Sequence, residues 1–314
     1  MKTLKINSEF AHELILAIPY AYWLHSNNQL EKVITSKGMK PFYYFCKNVE
    51  EKFEFRTLNN DLAGLNDLPN NWPHHNSLAV NGKPYNDLTL EEQNNTNGVL
   101  DYSQWLPPQY KTYYSKFNLI DKPYVVVNNN YNIEYNKPIS QSLRFFSIEC
   151  LYKIFNYLTE KGYYVVYKRP NNTEFTLDEN EINTKNQNLT LKANVEGIGV
   201  ITDYELCEYY NGKVINLNIL KNNNPQLTYN EIQLGLFSNS SGFITPNGGG
   251  GVLCGYFDSP VVMHVPHGKE LRTQYLTNKN SYYNKLSNNK LYAVIDPNNS
   301  SNYQKLIKTI KKVF

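Results

Sequence analysis

Four consecutive glycines, Gly248 to Gly251, are the stretch of this 314-residue sequence whose chemistry is easiest to interpret. They lie between an apolar run that ends at Pro246 and a short helix predicted over Val252–Phe257. Glycine lets the backbone approach a ligand closely, and the N–H groups that open the next helix favour an anion such as phosphate. A tight corner would need only one glycine, so the run predicts a loop that faces a ligand.

A second group of residues with phosphate-binding chemistry lies at the ends of two predicted buried strands. The strand over Lys122–Val127 runs into Asn128, and the strand over Tyr163–Tyr167 runs into Lys168 and Arg169. Cations at the point where a parallel strand opens toward a crevice suit a diphosphate. Solvated charges at a strand end are the alternative interpretation.

Residues that could accept a proton are scattered in the first third of the chain. His25 follows a cluster of aromatic residues, and the polar segment from Arg56 to His75 contains Asp61. Histidine titrates near neutral pH and a carboxylate can serve as a general base, but each of these residues could equally be a surface group. The sequence contains no Asp-x-Asp pair, so a metal ion is not expected, and its four scattered cysteines are expected to be buried thiols.

The elements around the glycines predict half of a doubly wound α/β domain. A helix over Tyr229–Phe237, with Gly242 as its C-terminal cap, precedes a strand over Gly242–Pro246, and a further strand follows over Val261–Val265. The remaining elements predicted for this half are a helix capped by Ser147 and ended by Gly162, a helix over Asp203–Tyr210, strands over Val214–Leu217 and Leu291–Ile295, and a basic helix over Tyr303–Val313.

The first part of the chain predicts another βαβ unit. Its strands are expected over Glu13–Pro19 and Pro41–Cys46, with a helix between them that ends at Gly38. The aromatic loop that includes Tyr20 and His25 would then face a ligand site or cover the edge of the sheet. We place the boundary between two domains, 1–118 and 119–314, where the chain becomes strongly apolar again.

Composition limits the partners and the location of the protein. The formal net charge of +3 is too small to indicate nucleic acid. No window approaches 18 apolar residues and no signal peptide is evident, so we expect a soluble, cytoplasmic protein. The lysines of the last helix are interpreted as a solvated face rather than a membrane anchor, although peripheral membrane association stays open.

The segment from Ser238 to Arg272, with its NGGGGVL turn followed by PVVMHVPHGKELR, resembles the donor-binding half of GT-B glycosyltransferases. It is most similar to the broad group that contains lipopolysaccharide heptosyltransferases and bacterial fucosyltransferases. The resemblance implies an α/β fold of two Rossmann-like domains facing a cleft. It also implies transfer of a sugar from a nucleotide-sugar donor to a glycan or another hydroxyl acceptor. The absence of an Asp-x-Asp pair predicts that this transfer needs no metal ion, and no other cofactor is expected.

The resemblance also implies roles for individual residues. The glycine turn would meet the diphosphate, Lys168 or Arg169 would neutralise it as it leaves, and Glu270 would contact the ribose hydroxyls. Tyr20, His25 and Asp61 are candidates for the acceptor side, with Asp61 or His25 as the catalytic base. The donor-binding set is Asn128, Lys168, Arg169, Asn247, Gly248, Gly249, Gly250, Gly251 and Glu270.

Two other functions remain open at this point. Gly249, Gly251 and Gly255 approximate a dinucleotide-binding fingerprint with Glu270 downstream, which would indicate an NAD(P)-dependent oxidoreductase. That fingerprint normally follows the first strand of its domain, whereas three predicted strands precede it here. A binding protein that has the two-domain shape without the chemistry is the other alternative.

Overall fold

The computed structural model describes residues 1–54, 56, 66–69, 89, 102–129, 145–169, 192–271 and 274–314. Within these ranges the chain forms an α/β structure with two parallel sheets and one short antiparallel hairpin. The strands are β1 (Lys2–Lys5), β2 (Leu30–Ser36), β3 (Val49–Phe53), β4 (Tyr124–Asn128), β5 (Tyr164–Lys168), β6 (Lys192–Val195), β7 (Gly199–Thr202), β8 (Val214–Asn216), β9 (Gly242–Pro246), β10 (Val261–Val265) and β11 (Leu291–Ile295).

The helices lie between and around these strands. The α-helices are α1 (Phe10–His12), α2 (Ile18–Ser26), α3 (Tyr110–Tyr114), α4 (Ile148–Glu160), α5 (Asp203–Tyr209), α6 (Leu217–Asn223), α7 (Tyr229–Ser238), α8 (Gly249–Cys254), α9 (Gln274–Thr277), α10 (Tyr282–Leu286) and α11 (Gln304–Val313). A π-helical turn, Glu13–Ala17, joins α1 to α2, and short 3-10 turns cover Lys40–Tyr43, Tyr102–Gln104, Gly255–Phe257, Lys269–Leu271 and Pro297–Asn299.

The larger sheet has the strand order β11-β10-β9-β4-β5-β8, and every neighbouring pair in it is parallel. The chain moves outward from β4 through β5 to β8, and then returns to the other side of β4 for β9, β10 and β11. The direction of winding therefore reverses between β4 and β9. In open α/β sheets, ligands bind beyond the carboxyl ends of the strands at this reversal.

Side chains alternate between the two faces of the larger sheet and fill two cores. One face, with Val126, Phe243 and Met263, belongs to a core that continues into the first part of the chain through Leu4, Leu14 and other residues. The opposite face, with Val125 and Ile244, packs under α4 and α11. Burial on both faces explains why the strands predicted from continuous apolar runs in this half are confirmed.

The smaller sheet, in the order β1-β2-β3, departs from the prediction for the first part of the chain. The segment predicted as the first strand, Glu13–Pro19, is helical, and the predicted strand Pro41–Cys46 begins as a 3-10 turn over Lys40–Tyr43. The residues predicted to continue a helix to Gly38 instead form β2. The apolar run that starts at Leu14 is buried all round, so it lacks the periodicity that separates a helix from a strand.

Pro19 accounts for the unusual turn at the start of this helix. The N–H of Ile18 donates to the carbonyl of Glu13, five residues back. The next hydrogen bond of this pattern would join the Leu14 carbonyl to the N–H of residue 19, but residue 19 is a proline and has no N–H. The hydroxyl of Tyr256, from the second half of the chain, donates to the Leu14 carbonyl instead. The Ile15 carbonyl accepts a hydrogen bond from Trp105 Nε1 at 2.7 Å. The buried carbonyls thus obtain partners from distant parts of the sequence.

Helix α3 connects the two halves. The hydroxyl of Tyr110 donates to the Phe42 carbonyl at 2.9 Å, and Ser238 Oγ at the end of α7 donates to the Tyr110 carbonyl at 3.2 Å. The boundary placed at residue 118 stays a prediction, because α3 belongs to the packing of both halves.

Candidate functional site

The candidate site lies where β4 and β9 end, at the reversal of the larger sheet. Asn128, the last residue of β4, donates from Nδ2 to Thr245 Oγ1 on β9 at 2.9 Å. Lys168, the last residue of β5, donates from Nζ to Asn128 Oδ1 at 2.9 Å. The parallel register sets Asn128 opposite Lys168, which is why residues forty positions apart in sequence meet here.

Lys168 is 5% exposed, and burial of a lysine is uncommon unless its ammonium is paired. The Asn128 carboxamide supplies a neutral partner, and the Phe237 ring lies 6.0 Å from the ammonium. A positive charge held in a low-dielectric position interacts strongly with an anion that reaches it. The arrangement therefore favours a negatively charged ligand at this edge of the sheet.

The glycine run is placed directly against Asn128. A Cβ atom on Gly250 would lie 2.5 Å from Asn128 Nδ2, and one on Gly251 would lie 3.0 Å from the Pro246 carbonyl oxygen. Gly248 has a φ of 126°, in the region that favours glycine. Three of the four glycines are thus required by close approach or backbone conformation.

The prediction that the glycines form a loop before a helix at Val252 was wrong. Helix α8 begins at Gly249, so Gly248 precedes the helix and the other three glycines form its first turn. The predicted helix boundary came too late because glycine is a poor helix former. The N–H groups of a helix's first turn have no partner within the helix and point outward from its start. Gly242 was also misassigned, since it opens β9 while Asn239 ends α7.

Asn247 lies between β9 and the glycines and is 3% exposed. Its Nδ2 donates to the His267 carbonyl at 2.9 Å, which fixes the orientation of the carboxamide. Its Oδ1 is buried and has no hydrogen-bond partner in the part of the chain that the structure describes. A buried acceptor without a donor is costly, so this oxygen is suited to a hydroxyl or an N–H group of a ligand.

Arg169 lies next to Lys168 but has a different environment. Its Nε donates to Asp203 Oδ2 at 2.7 Å, and its guanidinium lies 4.0 Å from the centre of the Tyr204 ring. Asp203 is fully buried and also accepts a hydrogen bond from the Tyr167 hydroxyl at 2.7 Å. Arg169 therefore compensates a buried carboxylate, and Lys168 is the cation that contacts the Asn128 cluster.

Two of the acceptor-side residues expected from the sequence, His25 and Tyr20, are not brought to this site. His25 is exposed at the carboxyl-terminal end of α2, just before β2 begins, and its ring lies 5.4 Å from that of Phe45. That end of the helix adjoins the amino ends of the parallel strands, opposite the edge where ligands bind. Tyr20 is buried and accepts a hydrogen bond from Lys2 Nζ at 2.9 Å. Asp61 lies outside the described residues.

Glu270 falls in the 3-10 turn after β10 and is partly exposed. It lies three residues beyond His267, whose carbonyl holds the Asn247 side chain. Glu270 therefore lies in the segment after β10 that also contains His267, the hydrogen-bond partner of Asn247. The structure shows no hydrogen bond or ion pair between the Glu270 side chain and the other described residues.

The segment from Ser8 to Glu13 faces the glycines from the first half of the chain. A Cβ atom on Gly249 would lie 3.0 Å from Phe10 Cδ1 and 3.5 Å from the backbone nitrogen of Ala11. This segment follows the carboxyl end of β1 and carries two carboxylates, Glu9 and Glu13. The sequence prediction missed it, because the residues from Glu13 were assigned to a strand.

Glu13 forms a fully buried polar cluster under this segment. Its Oε1 accepts hydrogen bonds from Thr35 Oγ1 at 2.6 Å and from the Tyr43 hydroxyl at 2.8 Å, and its Oε2 lies 2.5 Å from Arg56 Nη1. Arg56 also donates to the Ser8 carbonyl at 2.9 Å. Glu13 and Arg56 thus fix the segment that faces the glycines, whereas Glu9 is only partly buried.

Comparison with known proteins supports the fold. The structure resembles that of ADP-heptose LPS heptosyltransferase II from E. coli, with a TM-score of 0.52, 12% sequence identity and 99% of both chains covered. The chain has the fold of this heptosyltransferase. The α/β fold and the structural grouping with GT-B enzymes expected from the glycine segment are thereby confirmed, at the level of the fold.

A glycosyl transferase of family 9 from Veillonella parvula is less similar, with a TM-score of 0.46, 10% identity, and 99% of this chain and 89% of that chain covered. No protein-family model matches the sequence, and no curated protein matches it.

No group of three or more His, Cys, Asp and Glu side chains among the described residues is arranged to hold a metal ion. None of the helices in that part of the chain has the length and apolar character needed to cross a membrane.

Proposed function

We propose that this protein is a glycosyltransferase that moves a sugar from a nucleotide-sugar donor to a hydroxyl group of an acceptor without a metal ion. The observation that carries the proposal is the buried ammonium of Lys168, which donates to Asn128, while Asn128 lies against the first turn of α8 at the reversal of the sheet. A nucleoside diphosphate leaves such a reaction with additional negative charge. Lys168 and the N–H groups of the first turn of α8 would stabilise that charge.

Asn247 has a different role in this proposal from the one that the sequence suggested. Its unpartnered Oδ1 can only accept a hydrogen bond, so it would repel a phosphate oxygen. We assign it to a hydroxyl of the donor, and Glu270 on the neighbouring connection to the ribose. We assign the diphosphate to Lys168 because its ammonium contacts Asn128 beside the glycines, whereas the Arg169 guanidinium is paired with Asp203 on α5.

The acceptor hydroxyl must lose its proton to a base on the opposite side of the site. We propose Glu9 for this role, since it is the partly accessible carboxylate on the segment that faces Gly249. His25 is not assigned this role, because it lies near the amino ends of the strands of its sheet.

The topology argues against the oxidoreductase alternative. In a dinucleotide-binding domain the glycine-rich turn follows the first strand of the sheet. Here the strand in the corresponding position is β4, no glycine occurs between Asn128 and Lys161, and the glycines follow the fourth strand, β9.

A ligand screen tests the function. The melting temperature is measured with UDP, GDP, CDP and ADP, with the corresponding nucleotide sugars, and with NAD and NADP. We expect stabilisation by at least one nucleoside diphosphate, which would reach about 2.7 kcal/mol at a hundred times its dissociation constant. Stabilisation by NAD or NADP alone would contradict the proposal, and no stabilisation by any compound would favour a binding protein without this chemistry.

A pair of lysine variants tests the site itself. Lys168→Met should weaken the binding of the nucleoside diphosphate by about ten- to a hundred-fold, since a hydrogen bond to a charged group contributes about 1.5–3 kcal/mol. Lys153→Met, which removes an exposed lysine of α4, is the matched control and should leave the affinity unchanged. If the two variants bind the nucleoside diphosphate with equal affinity, Lys168 does not contact the ligand.

A further inference from the structure

Helix α11 carries a strongly basic face that the proposed function does not use. Lys305, Lys308, Lys311 and Lys312 are all exposed, while Leu306 and Ile310 are buried against the larger sheet. The sequence alone favours a solvated face for such a run. The structure adds a second helix to it.

Helix α4 lies beside α11 and extends the basic face. The ring of Tyr157 on α4 has two ammonium groups near it, with Lys161 Nζ 5.7 Å and Lys311 Nζ 5.8 Å from its centre. The Tyr157 hydroxyl also donates to the Lys311 carbonyl at 3.4 Å. Lysines from the two helices therefore form one continuous surface around a partly exposed aromatic ring.

Most of these lysines have no carboxylate partner in the part of the chain that the structure describes. Among the described residues, Lys161, Lys308, Lys311 and Lys312 form no ion pair, and only Lys305 approaches a carboxylate, Asp296 Oδ1 at 3.7 Å. The acidic residues of α4 that are exposed, Glu149 and Glu160, are not within ion-pair distance of them. Residues 274–314 contain seven lysines and one acidic residue, the buried Asp296.

Part of this charge has a local structural role. Lys161 caps α4, and Lys311 and Lys312 lie in the last turn of α11, where cations offset the negative ends of the helix dipoles. That role does not account for Lys308, which lies in the middle of α11, nor for the convergence of both helix ends on one face.

We propose that this basic surface, defined by Lys161, Lys308, Lys311, Lys312 and Tyr157, binds the anionic headgroups of a phospholipid membrane. Lysine ammonium groups on flexible stems reach headgroup phosphates, and tyrosine and phenylalanine rings are suited to the interface between headgroups and acyl chains. Tyr163 and Phe314, whose ring centres are 6.1 Å apart, lie partly exposed where the two helices end.

The geometry of the sheet makes this orientation compatible with access to the candidate site. Helices α4 and α11 cover one face of the larger sheet, whereas Lys168 and the glycines lie at the carboxyl edge of the strands. When the basic surface contacts the membrane, the carboxyl edge of the strands is not covered by the membrane and stays accessible to a donor from solution.

Vesicle binding tests the proposal independently of any glycosyl transfer. Binding is measured by co-sedimentation with vesicles of phosphatidylcholine alone and with vesicles containing about one-third phosphatidylglycerol, at low and high salt. We expect binding to the anionic vesicles only, and its loss at high salt. Absence of binding to anionic vesicles at low salt would overturn the proposal.

Two triple variants of equal charge locate the binding surface. The variant Lys308→Gln, Lys311→Gln, Lys312→Gln should bind anionic vesicles on the order of a hundredfold more weakly, because each lysine near such a surface contributes about 1 kcal/mol. The variant Lys47→Gln, Lys52→Gln, Lys116→Gln removes three exposed lysines from the first half of the chain and should bind like the unchanged protein. If both variants bind anionic vesicles equally weakly, the net charge of the protein, and not this surface, controls binding.

A duplex DNA competitor separates lipid from nucleic acid. At equal phosphate concentration, we expect the DNA to displace little protein from the vesicles. The basic surface presents lysines, but it has neither the arginines nor an element that enters a DNA groove, which are typical of nucleic-acid-binding proteins. Tighter binding to DNA than to vesicles would overturn the lipid proposal and identify a nucleic-acid surface.

Discussion

At the scale of single residues, the buried pair Glu13 and Arg56 has the clearest expected consequence. Glu13→Gln keeps the size of the side chain but removes the charge that Arg56 contacts at 2.5 Å. Breaking a buried ion pair by changing one partner typically costs about 3–5 kcal/mol. Chemical denaturation should therefore show a loss of that order in the free energy of unfolding.

Glu9→Gln is the matched comparison, since Glu9 is only partly buried on the same segment. We expect it to change the free energy of unfolding by only about 1 kcal/mol, because the glutamine amide keeps an oxygen that can accept the His12 N–H at the start of α1. We expect it to abolish turnover while nucleotide binding persists. If Glu13→Gln folds but is inactive while Glu9→Gln is active, the catalytic base is Glu13 rather than Glu9.

His264 predicts a dependence of stability on pH. It is fully buried on β10, and burial, which outweighs the attraction of Asp296 at 3.6 Å, lowers its pKa from 6.5 to about 4. As the pH falls below 6.5, the unfolded chain binds a proton that the folded protein resists. Stability is therefore full above that pH and should decrease by up to about 3 kcal/mol as the pH falls to about 4.

The variant His264→Phe isolates this contribution, because the neighbouring Phe146 and Tyr303 rings already form an aromatic environment. Urea denaturation between pH 7 and pH 4.5 should show a flatter dependence of the unfolding free energy on pH for the variant. Parallel curves for the two proteins would show that His264 does not titrate as its burial indicates.

At the scale of elements, the start of α8 depends on glycine at position 250. Gly250→Ala would place a Cβ atom 2.5 Å from Asn128 Nδ2, so the Asn128 carboxamide must shift from the position in which it accepts from Lys168. Because the obstructing atom is the end of a side chain, the protein should still fold. We expect calorimetric titration to show at least a tenfold loss of nucleoside diphosphate affinity.

Gly255→Ala provides the control for that element. Its Cβ atom would lie 3.1 Å from Leu286 Cβ, a tight contact that does not involve the Asn128 cluster. It should lower stability without a change in nucleotide affinity. Similar affinity losses in the two variants would mean that general destabilisation, rather than the Asn128 contact, controls binding.

At the scale of the whole molecule, the two halves share one core. Buried residues from β1, α2, α3, α7 and α8 belong to the same cluster, and Tyr256 supplies a hydrogen bond to the carbonyl of Leu14 across the halves. We therefore expect one cooperative transition in calorimetry, with both halves unfolding together. Two resolved transitions would show that the halves are independent domains.

The sequence by itself determined most of the second half. The central strands β4, β5, β9 and β10 are buried on both faces and are continuous apolar runs in the sequence. The helices that begin at Ile148, Asp203 and Tyr229 have capping side chains directly before them. These local signals are sufficient because the same residues specify both the element and its burial. The glycine run was recognisable for the same reason, since close approach at Gly250 and Gly251 and a positive φ at Gly248 all favour glycine.

Only the tertiary structure decided the first half and the partners at the site. The run from Leu14 is buried all round between the two halves, so it carries no periodicity to distinguish helix from strand. The roles of Lys168 and Arg169, which are adjacent in sequence, separate only because strand register brings Asn128 to one and helix α5 brings Asp203 to the other. Such contacts join residues more than thirty positions apart, and local sequence has no means of encoding which of two neighbouring cations will meet which partner.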